Sequence, residues 1–435
     1  MDKILMTNVR VLDCSGAEPF LGEVLVEGRM IRKVSDQLNA LPKQGARVVE
    51  GGGAFLMPGL VESHTHLGLN NSNDMFALGA LPAEEHTLLA MRNARFYLDH
   101  GFTSCMSAGS VKPRLDVVIR NAINAGEIPG PRLLASSPWL TVTGGLLDQH
   151  RYHMRREGVG IVLDGPENYR RVVREMIREG VDTIKLIISG DTGIPYAPSH
   201  STVMSEEEVA MVAREVHCRG RRIGAHARSA HSVKLCVRYG VKIVYHATFA
   251  DEEALDMLQA NRDRLFVSPN IGFTAAGIRD TAALGEAGRE AHAVFEEEME
   301  AASRALSQLR KRGVRILGGG DYGFESTPHG QNAKDIEFLV KDFNFSPMEA
   351  IQTMTRYGGE AMDLAEPLGQ VKEGFLADLL LVSGNPLEEI NVLQEPRRFL
   401  AIMKDGKFHK EPAAGLPLQA APVGQVSIAR QSGSN

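Results

Sequence analysis

Residues 59–68 read GLVESHTHLG and place two histidines, His64 and His66, at the end of an apolar segment. Side chains two residues apart on a β-strand point to the same side, so both imidazoles can reach one ion. Two histidines in a surface turn would have the same spacing. The choice between a metal site and a turn therefore depends on what the rest of the chain places beside this segment.

Apolar, β-branched segments alternate with helix-like segments from residue 59 to the segment VRILGGGD, which ends at Asp321. Repeated strand–helix alternation of this length is typical of a parallel (β/α)8 TIM barrel, and it predicts an α/β fold with GLVESHTHLG as the first strand. Helices are expected at 84–100, 113–126, 166–180, 205–219, 229–239, 251–260 and 282–313, with a further helical part at 333–365.

Both ends of the chain have β-like patterns of their own. The first 58 residues read as short strands and turns, and β character returns in LGQVKEGFLADLLLVSG and RRFLAIMKDGKFHK. We expect residues 1–58 and 361–410 to form one small, β-sandwich-like domain outside a barrel that spans residues 59–360. Residues 411–435 are small, polar and poor in periodicity, and they predict a C-terminal tail that is poorly ordered or lies over a neighbour.

The 435-residue chain has an ordinary globular composition, with 43% hydrophobic and 23% charged residues. Its net charge of −6 leaves no basic surface for phosphate backbones or anionic lipid, so neither nucleic acid nor a membrane is an expected partner. The first residues, MDKILMTNVRVLDCSG, alternate like a strand and do not resemble a signal peptide. The four cysteines are scattered and form no CxxC pair, which favours buried thiols and a cytoplasmic location.

Four more residues with side chains suited to metal binding lie at the ends of predicted strands. Lys185 lies in the fourth strand, His226 and His246 close the fifth and sixth strands, and Asp321 follows the eighth. Taken singly, each has an ordinary interpretation: the amine can pair with a nearby acid, a histidine can belong to the core, and Asp321 can cap a helix. Because the ends of barrel strands converge on one mouth, their joint occurrence favours a metal site.

Lys185 needs a separate explanation, because an ammonium group does not bind a cation. A neutral, buried amine becomes an anionic ligand when it adds carbon dioxide and forms a carbamate. The two oxygens of that carbamate can bridge two ions. Together with histidine nitrogens and an aspartate oxygen, this set suits zinc-like divalent ions.

These segments resemble the amidohydrolase superfamily of metal-dependent hydrolases. PGLVESHTHL is similar to its HxH signature, and LGQVKEGFLADLLLVSGNPLEEI is similar to its return strands. The intervals of 41 residues from Lys185 to His226 and 20 residues from His226 to His246 resemble the branch with ochratoxinase-type amidases and Xaa-Pro-type dipeptidases and, more distantly, phenylurea and molinate hydrolases. Some of those last enzymes lack the first histidine of HxH, which this chain keeps as His64.

The resemblance implies a binuclear metal centre that hydrolyses an amide C–N bond by attack of a metal-bridged hydroxide. The implied ligands are His64, His66, Lys185, His226, His246 and Asp321. The first two histidines and the aspartate would hold one ion, the other two histidines would hold the second, and the lysine carbamate would bridge them, with Zn²⁺ as the expected metal. Asp321 would also be catalytic, because it would take the proton of the hydroxide and pass it to the leaving amine.

The substrate contacts are expected in the loops at the barrel mouth. The segment SSPWLTVTGGLLDQHRYHMRREG, taken as a long loop after the third strand, contains the only tryptophan. Arg228 lies two residues after His226, where it can bind a substrate carboxylate or form an ion pair with a loop acid. The expected substrate-binding residues are Trp139, Tyr152, His153, Arg228, Tyr322 and His329.

The expected substrate is a small-molecule amide: an N-acyl amino acid, a dipeptide, or an aryl amide of the ochratoxin or phenylurea kind. Two alternatives remain open. One is a mononuclear deaminase that acts on a cyclic amidine, but related barrels of that kind generally bind one metal and lack the strand-4 lysine. The other is a non-catalytic barrel, which would have lost ligands. Metal analysis separates the three hypotheses, which predict about two ions per chain, one ion, or none. A homo-oligomeric assembly is also expected.

Overall fold

The computed structural model describes residues 3–154 and 158–413; the expected C-terminal tail lies, from residue 414 onward, outside the described residues. Within these ranges, no helix combines the length and the apolar content that crossing a bilayer requires. The strands are β1 (Lys3–Val11), β2 (Phe20–Glu27), β3 (Met30–Ser35), β4 (Arg47–Glu50), β5 (Phe55–Pro58), β6 (Leu60–Thr65), β7 (Phe102–Ser107), β8 (Arg132–Leu134), β9 (Ser136–Thr141), β10 (Gly160–Val162), β11 (Thr183–Ile187), β12 (Arg222–Ser229), β13 (Ile243–Phe249), β14 (Phe266–Ser268), β15 (Leu379–Val382), β16 (Phe399–Lys404) and β17 (Lys407–Lys410). The helices are α1 (Met75–Ala80), α2 (Ala83–Asp99), α3 (Leu115–Asn124), α4 (Pro166–Glu179), α5 (Glu206–His217), α6 (Ala230–Arg238), α7 (Glu252–Ala260), α8 (Ile271–Ala283), α9 (Arg289–Lys311), α10 (Lys334–Phe343), α11 (Pro347–Thr353) and α12 (Arg356–Met362).

The barrel is built from two sheets of parallel strands. One sheet has the order β6-β7-β8 and the other has the order β10-β9-β11-β12-β13-β14, and a backbone bridge joins the segment after β7 to β9. A further bridge between Val267 and Ile316 adds residues 315–317 as the eighth strand position. The ring closes where the Ser63 hydroxyl of β6 donates to the carbonyl of Gly318 at 2.7 Å. The predicted (β/α)8 barrel is confirmed.

Strands from both chain ends form one eight-stranded sheet, in the order β17-β16-β15-β5-β1-β2-β3 with β4 paired to β1. β15 lies antiparallel to β5, with Leu380 opposite Met57, so the C-terminal segment pairs directly with the N-terminal strands. Val11, Leu56 and Leu381 pack into a core of their own on one face, while Met57 and Leu380 on the other face join the barrel core. The prediction that both termini build one satellite β domain is therefore confirmed.

Two helices, the short α1 and the longer α8, are not predicted by the sequence. The sequence of α8 has few of the features that reveal a helix. Its residues IGFTAAGIRDTAA are mostly small, its first turn has no acidic side chain, and the side chain of its N-cap Asn270 makes no capping hydrogen bond. The usual signals of a helix start are therefore missing from this segment. The helix expected at 282–313 begins instead at Arg289, after a 3-10 turn at Gly285–Gly288.

Trp139 belongs to a barrel strand and not to the loop expected from the sequence. It lies in β9, which pairs in parallel with β11 on one side and with β10 on the other. The residue is only 5% exposed. Parallel strands buried on both faces lack the alternation of polar and apolar residues that would reveal them. The loop after the third strand position therefore begins only beyond Thr141.

A buried ion-pair cluster fastens the barrel to the β domain. Arg132 of β8 donates to Asp378 at 2.5 Å and to Asp405 at 2.7 Å, and it also donates to the hydroxyl of Ser104. The Asp378 side chain is 1% exposed, so compensation of its charge depends on Arg132. A buried charge that loses its partner costs about 3–5 kcal/mol in comparable cases.

Replacing Arg132 with alanine is expected to lower the free energy of unfolding by about 3 kcal/mol, because the Asp378 carboxylate is left buried without its cation. Arg29→Ala is the matched control: Arg29 contacts the same Asp405 at 3.4 Å from an exposed position, and its loss is expected to cost less than about 1 kcal/mol. Both variants are compared with the wild type by urea denaturation. Equal losses in the two variants would contradict the role given to Arg132.

Candidate metal centre and active site

The six predicted ligand residues lie within barrel strands or directly after them, on the side that faces the mouth of the barrel. They are supplied by β6 (His64 and, just beyond it, His66), β11 (Lys185), β12 (His226), β13 (His246) and the segment after residues 315–317 (Asp321). All but the aspartate are buried, and the aspartate side chain is 16% exposed. The fold thus brings together every residue predicted to bind metal.

His64, His66 and Asp321 form the tightest group. The Oδ1 atom of Asp321 lies 3.1 Å from Nε2 of His66 and 3.6 Å from Nε2 of His64. One possible ligand atom from each residue lies within 4.8 Å of the other two. Nitrogen and oxygen donors at this spacing suit a zinc-type site.

A second pair of histidines lies beside this group. The ring centroids of His226 and His246 are 4.4 Å apart, and the centroid of His246 is 5.8 Å from that of His64. Both ring nitrogens of His246 are buried and have no hydrogen-bond partner among the described residues. Because buried polar atoms are almost always paired, an unpaired imidazole fits a ligand of a metal ion.

Backbone carbonyls fix the orientation of two of the rings. The Nδ1–H of His66 donates to the carbonyl of Gly109 at 3.0 Å, and the Nε2–H of His226 donates to the carbonyl of Gly190 at 3.0 Å. Each hydrogen bond leaves the opposite ring nitrogen with a lone pair. In His66 that lone pair faces the Asp321 carboxylate at 3.1 Å, which is repulsive unless a cation lies between them. The residues present therefore fit a divalent metal.

Asn270 supports His64 and is a site residue that sequence reasoning missed. Its side-chain amide contacts Nδ1 of His64 at 2.5 Å and also contacts the carbonyl of Gly319. These contacts hold the ring with Nε2 toward Asp321. Asn270 has φ +57°, a left-handed conformation that asparagine tolerates better than most residues. The one available signal is a polar residue directly after the apolar strand RLFVSPN.

Lys185 is buried and has no carboxylate partner within the described ranges. Burial lowers the pKa of its amine to about 7, although the nearby Asp321 acts in the opposite direction. Its Nζ atom lies 3.7 Å from the centre of the Tyr245 ring. A large fraction of the amine is therefore neutral near pH 7, and the neutral amine is the form that adds carbon dioxide.

Asp321 follows three glycines, and a Cβ atom on any of them would lie too close to a neighbouring side chain. A Cβ atom on Gly319 would come within 2.5 Å of the Ser63 hydroxyl, and one on Gly320 would come within 2.3 Å of the Tyr322 ring. Asp321 itself has φ +61°, a conformation that is costly for a residue with a side chain. The surrounding packing holds this strained backbone and directs the carboxylate toward the histidines.

The metal centre opens into a cavity of about 630 Å³, called here the main cavity. Most of its wall is apolar and includes Trp139, whose ring centroid lies 5.0 Å from that of His66. The polar part of the wall includes Asp148, Asp191 and Arg151. An apolar cavity of this size with a few polar groups is typical of a small-molecule site.

Tyr152 and His153, predicted to bind substrate, are exposed and do not line the main cavity. The residues just before them, His150 and Arg151, form part of the wall instead. The ring of His150 donates to Asp148 at 2.9 Å. The loop therefore lies where it is expected, but its inward-facing side chains differ from those chosen, because its path depends on tertiary contacts that no local pattern encodes.

Tyr322 and His329 lie behind the metal centre, and the structure does not bring them to the main cavity. The Tyr322 hydroxyl donates to Asp335 at 2.9 Å, and Asp335 also accepts from the backbone N–H of Gly319. His329 accepts from the Tyr97 hydroxyl at 3.1 Å and donates to a backbone carbonyl. Both side chains support the segment that carries Asp321. This supporting role replaces the expected contact with substrate.

Arg228 is buried and its guanidinium is engaged by acids, contrary to the expectation that it binds a substrate carboxylate. It lies 2.7 Å from Asp191 and 3.2 Å from Glu298 of α9. The alternative interpretation, an ion pair with a loop acid, therefore describes its environment. The cluster ties α9 to the loop after β11, which includes Gly190, the residue that holds the ring of His226.

Known proteins with similar sequences and structures include hydrolases of amide bonds. Residues 55–408 match the sequence profile of the Amidohydrolase family. The ochratoxinase of Aspergillus niger is 28% identical over 380 residues, which cover 83% of this chain and 76% of that protein. A solved structure described as an amidohydrolase is 28% identical with a TM-score of 0.82, and covers 94% of this chain and 99% of that one. A solved prolidase complexed with N-methylphosphonate-L-proline is 25% identical with a TM-score of 0.81 and the same coverage.

The profile match spans most of the chain, and the solved relatives superimpose over nearly all of it. The resemblance inferred from the sequence segments is thereby confirmed. The chain belongs to the amidohydrolase family and is a hydrolase.

Proposed function

We propose that this chain is a binuclear, metal-dependent amidohydrolase that cleaves the amide C–N bond of an N-acyl amino acid. The observation that carries the proposal is the convergence, at one barrel mouth, of a histidine–histidine–aspartate group, a second histidine pair with unpaired nitrogens, and a buried lysine. Such a set supplies ligands for two ions and exceeds what one ion needs.

The proposed ligands are His64, His66, Lys185, His226, His246 and Asp321. The histidine–aspartate group holds one ion, the second histidine pair holds the other, and the lysine serves both as a carbamate. Support for the lysine comes from its burial beside the other proposed ligands, from the absence of a carboxylate partner among the described residues, and from the lowered pKa of its amine. Imidazole nitrogens with carboxylate-type oxygens favour Zn²⁺.

Bound divalent ions lower the pKa of a water molecule and polarise a carbonyl group. The chain's own part in the reaction is proton transfer by Asp321. The ionised carboxylate can accept a proton from the attacking water and pass it to the amide nitrogen, which makes the amine a better leaving group.

Lys185→Ala is expected to lose most of its bound metal and at least about 100-fold in kcat/KM, because the carbamate that serves both ions cannot form. Metal per chain is measured by mass spectrometry after dialysis, with about two ions expected for the wild type. Bicarbonate added during reconstitution is expected to raise the metal content of the wild type and to leave the alanine variant unchanged.

Lys242→Ala is the matched control, since Lys242 forms an ion pair with Asp363 outside the site and its loss should change neither metal content nor activity. A Lys185→Ala protein with two ions and full activity would refute the carbamate. Release of ammonia from cyclic amidines, with no cleavage of a linear amide, would replace the amidohydrolase proposal with the deaminase alternative.

The charges on the wall of the main cavity favour a substrate with a carboxylate and no free amine. Asp191 is paired with Arg228, and Asp148 accepts hydrogen bonds from His150 and from backbone N–H groups. Arg151, by contrast, lines the cavity and has no carboxylate partner among the described residues. An N-acyl amino acid has a carboxylate and a blocked nitrogen, so it matches this wall better than a dipeptide with a free ammonium group.

Arg151→Gln is expected to raise the KM for N-benzoyl-L-phenylalanine about tenfold, because a charge-assisted hydrogen bond to the substrate carboxylate is lost. The KM for N-benzoyl-L-phenylalaninamide, which has no carboxylate, is expected to change by less than about twofold. Arg171→Gln, a change at an exposed position on α4, is the control. Equal changes for the two substrates, measured as initial rates of amine release, would show that Arg151 does not bind the carboxylate.

A further inference from the structure

A second cavity, of about 340 Å³, adjoins the main cavity. The two cavities share three wall residues, Met75, Phe273 and Phe324. The remaining wall of the second cavity comes from residues outside the proposed ligand set and outside the loop that carries Arg151. Its volume alone lies within the range of small-molecule sites. The two cavities together therefore offer room for a substrate with a large group on one side of its amide.

The shared wall contains two half-buried aromatic rings. Phe273 lies in the first turn of α8 and Phe324 lies in the loop after Asp321, with ring centroids 5.7 Å apart in an edge-to-face contact. The backbone around Phe324 is held tightly, because Gly323 has φ +121° and its N–H donates to the carbonyl of Thr327 at 2.7 Å. A half-buried ring on a fixed backbone can change rotamer without moving the loop, and such a change would join the cavities.

The wall of the second cavity is mostly apolar, and its one acidic side chain is paired. Phe295 of α9 faces Phe273 with ring centroids 6.3 Å apart, and Asn73, Asp280 and Ser326 contribute polar groups to the lining. The Asp280 carboxylate is paired with the neighbouring arginine at 2.7 Å. A wall of this kind fits a neutral aromatic group with a polar edge better than it fits an ion.

Arg151 lines the main cavity only, and the part of the second cavity that is not shared comes from other segments of the chain. Arg151 belongs to the loop after the third strand position, whereas α8 follows β14, the seventh. In a closed ring of eight strand positions, the third and the seventh are half a turn apart. A substrate with its carboxylate at Arg151 and its amide carbon at the proposed metal centre would leave its acyl group free to extend toward Phe273 and Phe324, which also line the main cavity.

We propose that the second cavity is a binding subsite for an aromatic acyl group of the substrate, and that Phe273 and Phe324 determine this specificity. The inference rests on the proposed amide hydrolysis and adds the chemical class of the acyl group. Aroyl amino acids are then better substrates than acetyl amino acids, because only an aromatic acyl group fills both cavities.

Ser326→Trp tests the subsite, because Ser326 lines the second cavity but not the main cavity, and an indole at this position fills the space. The kcat/KM for N-(2-naphthoyl)-L-phenylalanine is expected to fall about tenfold, while that for N-acetyl-L-phenylalanine stays within about twofold of the wild type. Ser326→Ala is the matched control and is expected to leave both values within about twofold. The acetyl substrate also reports whether the tryptophan variant is folded.

Binding is measured separately with 2-naphthamide, whose fluorescence reports on the subsite without hydrolysis. Binding that is about tenfold weaker in Ser326→Trp than in Ser326→Ala supports the subsite. This measurement does not depend on hydrolysis. If no amide is cleaved, only the proposed hydrolysis is rejected. Equal binding to the two variants overturns the subsite. So does an equal loss of kcat/KM for the naphthoyl and acetyl substrates.

Discussion

Hydrogen-bond acceptor atoms face each other in the buried mouth of the barrel. The rest of the site depends on how their mutual repulsion is compensated. The Gly109 carbonyl determines which nitrogen of His66 carries the proton, and the other nitrogen then faces the Asp321 carboxylate. His246 is buried nearby with neither ring nitrogen paired among the described residues. In a medium of low dielectric constant such groups are costly unless a positive charge compensates them. The arrangement is therefore stable with bound cations and unfavourable without them.

The barrel maintains this costly arrangement through contacts that lie outside the ligands. His246 and Asp321 both have positive φ values, +76° and +61°, which residues with side chains seldom adopt. Asp335 fixes the segment before Asp321 by accepting hydrogen bonds from the Gly319 N–H and the Tyr322 hydroxyl. The packing of β-strands and helices thus supplies the energy that holds these two proposed ligands in strained conformations.

The proximity of the six proposed ligands could be predicted from the sequence because barrel geometry converts position along a strand into spatial proximity at the mouth. A residue such as His226 needs only an apolar strand before it to be placed at the mouth. The selection of substrate could not be predicted in this way. Arg228 lies at a strand end too, but Glu298, from a helix far along the chain, engages it. Phe273 lies on a helix without start signals, so neither the helix nor its contribution to the cavity is visible in local patterns.

Asn270 connects the metal centre to the selection of substrate, because it contacts His64 and is also the N-cap residue of α8. Phe273 lies in the first turn of the same helix. An acyl group that fits beside Phe273 leaves α8 in place and preserves the orientation of the His64 ring. A group that displaces α8 would move Asn270 and therefore disturb His64, a proposed metal ligand. Because the geometry of the reacting groups strongly affects the rate, discrimination at the second cavity should change kcat as well as KM.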